Sequence, residues 1–258
     1  MANAAYRDGF GNPFTDQAFN ISAGAYENLK PENKFGWNGN LAATKITLAS
    51  WLTSSYIYPG SAGLFGFAST STNDIHGGAG AHAIEAFGCA SGFGEISEVI
   101  SLDGQNPVYT TLPWARINRA IVLDVGTSEI NEGHIYCGVN DFTTGIPDSA
   151  DNIYSRIDSG RGQTLQAIYT IPEKCNGYFT NIYFNIQSTK STTIEWIARE
   201  QGKSFRIQEL IEVNASGLVA YKPFRKFTEK TDIELRAIGA NPAINIGAGF
   251  GLYLEKYT

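Results

Sequence analysis

Histidine is the residue type in this chain best suited to bind a metal ion or to act as a base, and two of the three histidines lie close together. His76 and His82 enclose the string HGGAGAH. A spacing of six puts both rings on one side of a strand, too far apart to share one tetrahedral ion, and no helical HExxH motif or nearby Cys/Asp set completes a site. We therefore predict loop histidines at a strand entrance and no metal-binding residues.

The motifs of a catalytic nucleophile and of a phosphate-binding loop are also incomplete, because the required residues do not occur at the required spacing. Ser91 lies in the string GCASG, which lacks the GxSxG pattern and its strand–turn–helix context. The glycines at 77–80 and 92–94 are not followed by Gly-Lys-Ser/Thr, and no βαβ pattern frames them. These glycines are better suited to turns and close strand packing. We predict no catalytic residues and no cofactor.

Two pairs of carboxylates could line a cleft, as they do in glycoside hydrolases. They are Glu95 with Glu98, and Glu195 with Glu200. Carboxylates on the solvent face of alternating strands are nearly always hydrated, so neither pair is a strong catalytic signal. A polysaccharide hydrolase is the third alternative, and the sequence favours a protein that is not an enzyme.

One basic cluster occurs late in the chain, interleaved with Phe224 and Phe227. Its members are Lys222, Arg225, Lys226 and Lys230. Such a cluster can bind nucleic acid or an acidic partner. An exposed strand edge whose charges discourage wrong pairing is favoured instead, and the net charge of −6 argues against specific nucleic-acid binding. We predict that this basic edge contacts other subunits.

The elements that would position these residues are mostly strands. Charged residues make up only 17% of the chain and hydrophobic residues 43%, which suits pleated strands and a surface that faces other subunits. Hydrophobic residues alternate with a period of two over 95–102, 114–125, 133–139, 164–171, 178–186, 192–200, 205–213, 232–238 and the last segment. The pattern predicts an all-β, antiparallel, jelly-roll-like β-sandwich. Without a fixed-period repeat, a propeller is disfavoured.

Residues 1–75 differ from the rest, because turn-rich strings there carry aromatic residues. We predict an irregular N-terminal arm over 1–75 and a β-sandwich over 76–258, which the pattern also allows to divide into two β-subdomains near 150–160. An irregular first layer of the same domain is the alternative for the arm. Aromatic residues suit an arm that gains order by lying on neighbouring subunits. The expected arm contacts are Phe35, Trp37, Tyr56, Tyr58, Phe65 and Phe67.

The number and spacing of the cysteines and the hydropathy of the chain indicate in which cellular compartment the protein folds. Three cysteines, Cys89, Cys137 and Cys175, are odd in number and widely spaced, which favours folding in a reducing cytoplasm. We identify no signal-peptide pattern and no apolar stretch that approaches the roughly 18 residues of a membrane span. We therefore expect no membrane partner.

Five strings in the second two-thirds of the chain carry a resemblance to a known family. They are AGAHAIEAFG (79–88), EISEVISLDG (95–104), ARINRA (115–120), QTLQAIYTIP (163–172) and EKTDIELRA (229–237). In this order they resemble a family of virion structural proteins of tailed phages of marine and freshwater bacteria, including cyanobacteria. The chain departs from the family at 172–177, and residues 1–75 match no string of it. The resemblance implies a structural protein of a capsid or a tail, with no catalytic residues to carry over.

The sequence therefore predicts a non-enzymatic virion protein, a minor or decorating capsid component that is synthesised and folded in the host cytoplasm. The expected partners are other copies of the chain and other virion proteins. The alternative is a tail or baseplate protein that binds a host receptor or glycan through polar and aromatic loops such as 140–152.

Overall fold

A computed structural model describes residues 16–187, 191–239 and 243–257. The protein is 58% strand and 4% helix, and its sheets are antiparallel, which confirms the prediction of an antiparallel all-β fold. Residues 1–15 of the predicted arm, and residues 188–190, 240–242 and 258 of the predicted sandwich, lie outside the described residues.

The elements are one short helix, one 3-10 turn and a succession of strands. In chain order they are α1 Gln17–Ser22, β1 Leu29–Leu41, β2 Lys45–Thr47, β3 Gly66–Ser69, β4 Ala81–Ala90, β5 Glu95–Ser101, β6 Val108–Tyr109, β7 Trp114–Val125, β8 Ile135–Gly138, β9 Phe142–Thr143, β10 Ile146–Pro147, a 3-10 helix Ala150–Asn152, β11 Ile153–Ile157, β12 Ile168–Thr170, β13 Cys175–Gln187, β14 Thr192–Arg199, β15 Arg206–Val213, β16 Gly217–Phe227, β17 Asp232–Ile238 and β18 Ile244–Lys256. Within the described ranges no helix is long and apolar enough to cross a bilayer.

The strands form four larger sheets and the small β9–β10 pair. Sheet I has the order β1-β18-β13-β16, and sheet II has the order β12-β17-β14-β15 with β2 also paired to β17. Sheet III has the order β5-β4-β7, and sheet IV has the order β11-β8-β3-β6. Together the four larger sheets make a four-bladed, propeller-like ring.

This ring explains why no repeat is visible in the sequence. Sheets I, II and IV draw strands from distant parts of the chain; in sheet I, for example, β1 is hydrogen-bonded to β18. Repeats are expected only where each blade is one local unit of chain, so a lack of repeats does not exclude a ring. A single sandwich also does not describe the whole molecule, because the buried hydrophobic side chains form two main clusters.

The larger cluster, here called the terminal core, lies between sheets I and II. Phe179 of β13 stacks on Trp196 of β14 with ring centroids 3.8 Å apart, and on Phe250 of β18 at 5.2 Å. The second cluster, here called the central core, lies between sheets III and IV and includes Phe67 and Trp114. Each core is therefore closed by two facing sheets, the usual way to bury one face of a β-sheet.

Residues 16–75 were expected to form an irregular arm on neighbouring subunits, but they supply strands to this chain's own sheets. The string with the most turn-type residues forms β1, which pairs with β18 from Leu29 opposite Glu255 to Leu41 opposite Ile244. Strand β3 then lies inside sheet IV, between β6 and β8. Pairing and burial decided this outcome, because strand propensity depends strongly on the neighbouring strand.

Polar side chains join the two halves of the molecule. Asn118 of β7 donates from Nδ2 to the Thr170 carbonyl at 3.1 Å and accepts from the Thr170 amide at 2.9 Å. Lys34 of β1 donates to the carbonyl of Asn118. These buried hydrogen bonds fix sheet III against sheets I and II, because an unpaired polar group at this depth would be costly.

Candidate functional site

The outer face of sheet I is lined at its centre by glycine. In β18 the side chains of Ile246, Ala248 and Phe250 point into the terminal core. Because successive side chains of a strand alternate between faces, the intervening Gly247 and Gly249 lie on the outer face. A row of glycines leaves a shallow channel along the middle of the sheet, which large side chains of the two neighbouring strands can cover.

Aromatic residues from the flanking strands do cover it. Tyr183 of β13 and Phe35 of β1 both lie opposite Gly249 in the strand register. The ring of Tyr183 lies where a Cβ on Gly249 would stand, and its hydroxyl donates to Oδ1 of Asn33 at 3.1 Å. Burial raises the pKa of Tyr183, so the phenol remains a neutral donor. The side chain therefore bridges three strands and flattens this face.

Exposed apolar side chains continue the face on both sides. Trp37 lies opposite Gly247 and is 36% exposed. Leu218 of β16 lies opposite Tyr183 and is 65% exposed. We call this surface the glycine–aromatic face, and its members are Asn33, Phe35, Trp37, Tyr183, Leu218, Ala220, Gly247, Gly249 and Gly251. None of these residue types is charged, and aromatic residues with few charges are typical of the centre of protein interfaces.

One end of the glycine–aromatic face opens into a cleft of about 530 Å³. Phe35, Trp37 and Tyr183 line it together with Arg161. The guanidinium of Arg161 lies over the indole of Trp37, 5.9 Å from the ring centroid. The cleft thus combines an exposed ring system with one cation at its rim, a composition that suits a protein partner.

The six predicted arm contacts separate into three groups. Phe35 and Trp37 belong to the glycine–aromatic face. Tyr56, Phe65 and Phe67 are buried inside this chain, which corrects the expectation that they contact a neighbour. The Tyr56 hydroxyl donates to the Tyr154 carbonyl at 3.0 Å, while Phe65 and Phe67 pack in the central core. The sixth, Tyr58, is half-buried and belongs to a different site.

Three residues of the predicted basic edge, Lys222, Arg225 and Lys226, lie on β16, which ends sheet I, and Lys230 lies in the turn that follows β16. Arg225 is engaged, donating to Oε2 of Glu209 at 2.7 Å and lying over the ring of Trp196. Lys230 donates to Oε1 of Glu173 at 2.8 Å, and Lys226 lies over the ring of Tyr178. Lys222 is exposed. Side chains occupied in this way are held in place by their own chain, which leaves fewer of them for a partner.

The carboxylates weighed as hydrolase candidates take part in contacts within the protein. Glu95 pairs with Lys30, and Glu98 accepts from the amide of Thr111 at 2.8 Å. Glu195 is buried, and its Oε1 lies 2.7 Å from Nζ of Lys45. Glu200 is exposed. Glu95 lines a cleft of about 460 Å³ and Glu200 a cleft of about 260 Å³, and in neither cleft does the other member of the pair belong to the lining.

The two neighbouring histidines lie with their ring centroids 6.0 Å apart. His82 lies 3.0 Å from Oδ2 of Asp124 through Nδ1 and 2.8 Å from the carbonyl of Gly78 through Nε2. These two hydrogen bonds raise the pKa of His82. Over the residues that the structure describes, no group of three or more His, Cys, Asp or Glu is placed to hold a metal ion.

A second site, which sequence reasoning missed, lies where sheets II and III meet. Asp232 of β17 is almost fully buried and receives two guanidinium groups. Nε and Nη2 of Arg116 lie 3.0 and 3.2 Å from its two oxygens, and Nε of Arg199 lies 2.9 Å from Oδ2. Thr170 donates a further hydrogen bond at 2.6 Å. The members are at least 29 residues apart in sequence, so no local sequence motif indicates the cluster.

The cluster borders a cavity of about 600 Å³, here called the junction cavity. Tyr58, Phe93 and Phe205 line it beside the two arginines and Asp232. The guanidinium of Arg199 lies 4.5 Å from the ring centroid of Tyr58 and 4.4 Å from that of Phe205. Stacking of this kind fixes a charged group in one orientation at the cavity wall.

No protein-family model matches the chain, and no curated protein matches it.

Proposed function

We propose that this protein is a non-enzymatic structural component of a virus particle, a minor or decorating capsid protein whose copies associate through the glycine–aromatic face. The observation that carries the proposal is the flat, uncharged and partly exposed aromatic face of sheet I. Contiguous exposed apolar surface on a folded domain usually marks an interaction site. The resemblance of residues 79–258 to tailed-phage virion proteins supports the particle as the place of that interaction.

A second copy is the occupant that best suits this face. Gly247, which the Tyr183 ring does not cover, lets another flat surface approach the backbone closely, and Trp37 and Leu218 supply side chains to bury. A self-complementary patch is what a symmetric homo-oligomer requires. Obligate assembly interfaces commonly bury more than about 2,000 Å², so the whole face, and not one anchor, would take part.

We also propose that sheets I and II together form a jelly roll. The strands that surround the central core are then an insertion in the chain between β2 and β12. Strand order supports this proposal. The chain passes from sheet I (β13) to sheet II (β14 and β15), back to sheet I (β16), to sheet II (β17) and again to sheet I (β18). Such alternation between two facing antiparallel sheets is the winding of jelly rolls, an architecture common among viral capsid proteins.

The assembly proposal is tested by the solution mass of the purified full chain. Sedimentation equilibrium over a range of concentrations should show self-association. The substitution Leu218→Glu should weaken it by at least about tenfold, because it removes an apolar contact of about 1.5–3 kcal/mol and places a charge at the interface.

A matched control is Leu210→Glu. Leu210 is also an exposed leucine on an edge strand, but β15 belongs to sheet II. Its substitution should leave self-association unchanged. A monomeric wild-type chain at high concentration, or equal effects of the two substitutions, would refute association through the glycine–aromatic face. Density for the chain in electron cryomicroscopy of purified particles would then separate capsid from tail.

The second candidate is a tail or baseplate protein that binds a host glycan, and one observation favours it. A pocket of about 190 Å³ is lined by Trp51, Tyr136, Asp151 and Arg156. Asp151 lies in the predicted binding segment 140–152, and the aromatic residues Trp51 and Tyr136 line the same pocket as its carboxyl group and the guanidinium of Arg156. Aromatic rings beside polar groups suit a sugar. Glycan-array binding by the wild type, lost in Trp51→Ala, would favour this role over capsid decoration.

A further inference from the structure

The junction cavity has the dimensions and the placement of a small-molecule site. It is enclosed by the segment 56–62, by β7 and by the connection from β14 to β15. Its volume of about 600 Å³ falls within the range of ligand pockets. Such pockets lie preferentially at the junctions between packed units, as this one does between sheets II and III.

Positive charge exceeds negative charge at this cavity. Arg116 and Arg199 share one carboxylate, that of Asp232, and Lys203 adds a third cation to the lining. The whole chain carries a net charge of −6, so this is a local reversal of its charge. A partly buried cation without a full counter-charge is stabilised by an anion that completes the pairing.

The available hydrogen-bond donors belong to Arg199. Nη1 of Arg116 already donates to the carbonyls of Pro59 and Ala115, at 3.3 and 2.8 Å. Arg199 uses Nε on Asp232, and within the described ranges its two terminal nitrogens have no other hydrogen-bond partner. Its side chain is 26% exposed and lines the cavity. These nitrogens can therefore form the two parallel hydrogen bonds that guanidinium makes with a carboxylate.

Arg199 is also held in place before any ligand arrives. Its guanidinium lies against the rings of both Tyr58 and Phe205, and its Nε is fixed by the buried Asp232. A donor that is already immobilised loses little conformational entropy when it binds, so more of the interaction appears as affinity. Lys203, by contrast, is exposed on a turn and can approach an anion from the solvent side.

The rest of the lining indicates what else the ligand carries. Ser61, Ser91 and Gln201 present hydroxyl and amide groups, while Phe93 and Ala62 present apolar surface. We propose that the junction cavity binds a small hydroxylated carboxylate of the uronic acid class, with Arg199 pairing its carboxylate and the polar residues binding its hydroxyls. This site lies away from sheet I, so it does not depend on the assembly role proposed above.

Isothermal titration calorimetry on the purified full chain tests this site, with sodium D-glucuronate as the probe and D-glucose as its uncharged match. Glucuronate should bind saturably at one site and glucose at least about tenfold more weakly, since glucose lacks the group that Arg199 pairs. Arg199→Gln should weaken glucuronate binding by at least about tenfold, and Lys203→Gln by a smaller factor.

Two further variants make the outcome decisive. Arg206→Gln removes an exposed arginine of β15 that does not line the junction cavity, and it should bind glucuronate as the wild type does. Lys203→Gln alters an exposed side chain, so it remains informative if Arg199→Gln fails to fold. Equal binding of glucose and glucuronate, no saturation by about 10 mM, or wild-type affinity in both Arg199→Gln and Lys203→Gln would overturn the proposal.

Discussion

Replacing Asp74 should destabilise the protein more than any surface substitution, because its carboxylate organises the connection between β3 and β4. The side chain is fully buried. Oδ1 accepts from the amides of Ala81 at 2.7 Å and Glu132 at 2.9 Å, and Oδ2 accepts from the amide of Gly133 at 2.8 Å and the hydroxyl of Ser69 at 2.5 Å. One carboxylate thus joins three separate pieces of backbone around sheet IV.

The expected magnitude follows from the donors that lose their acceptor. In Asp74→Ala three backbone amides are left without a partner, and each buried unsatisfied donor costs about 1–3 kcal/mol. Because water can enter the variant and satisfy some of these donors, the loss in unfolding free energy should be about 3–6 kcal/mol. The typical total unfolding free energy of a protein is about 5–15 kcal/mol. Asp74→Asn should lose roughly half as much, because the amide oxygen still accepts while its NH2 group faces other donors.

Thermal unfolding followed by circular dichroism measures the effect. A loss of this size corresponds to a drop in Tm of roughly 10–20 °C for a chain of this length. The matched control is Asp148→Ala, since Asp148 is exposed, and it should change Tm by no more than about 2 °C. If Asp74→Ala melted within about 3 °C of this control, the assigned role of the buried carboxylate would be refuted.

Two further predictions concern buried ionisable groups. Burial lowers the pKa of Lys34 from 10.5 to about 7, and the charge of Arg119 is the next largest cause. Between pH 7 and pH 10.5 the unfolded state therefore binds more protons than the folded state, so the stability of the protein rises with pH. Lys34→Met removes this penalty but leaves the Asn118 carbonyl without its donor, so the change in Tm should be more favourable near pH 6 than near pH 10; an equal change at both would contradict the assignment. Cys89, Cys137 and Cys175 are buried free thiols, and burial raises the pKa of Cys89 to about 12, so none should react with a thiol reagent until urea unfolds the chain. Fast labelling of the native protein would contradict their burial.

Most strands of the protein could be predicted from alternation alone. The pattern over 114–125 and 232–238 predicts two strands with the bounds that β7 and β17 have. The pattern near 192–200 likewise predicts β14, whose Ile194 and Trp196 are buried in the terminal core. Alternation works here because the side chains of one face enter a core, whereas those of the other face meet solvent or, like Asp232 of β17, buried polar partners.

Three long strands escaped that reasoning for identifiable reasons. Strand β4 is rich in alanine, and β1 contains Pro31 and five glycine or asparagine residues, types that favour turns. Strand β16 carries Pro223 and the basic edge, both of which disfavour a strand assignment from sequence. Each is nevertheless held by a partner: β4 by β5 and β7, β1 by β18, and β16 by β13. Tertiary pairing overrides weak local propensity.

The prediction of an N-terminal arm likewise did not take account of pairing with strands that are distant in the chain. Phe65 and Phe67 are aromatic residues in a stretch without clear periodicity, and that description fits both an arm on a neighbour and a strand buried on both sides. Only the position of β3, between β6 and β8 and against the central core, decides for burial. Trp37 has the same residue character but stays exposed on the glycine–aromatic face.

By itself the sequence determined the antiparallel all-β class and the bounds of its most regular strands, because each of these depends on the spacing of hydrophobic residues within one short segment. The tertiary structure alone decided which aromatic residues are exposed, and that Gly249 lies beneath Tyr183. It also brought Arg116, Arg199 and Asp232 to one cavity. Those groups come from strands far apart in the chain, and only the packing of whole sheets sets the distances between them.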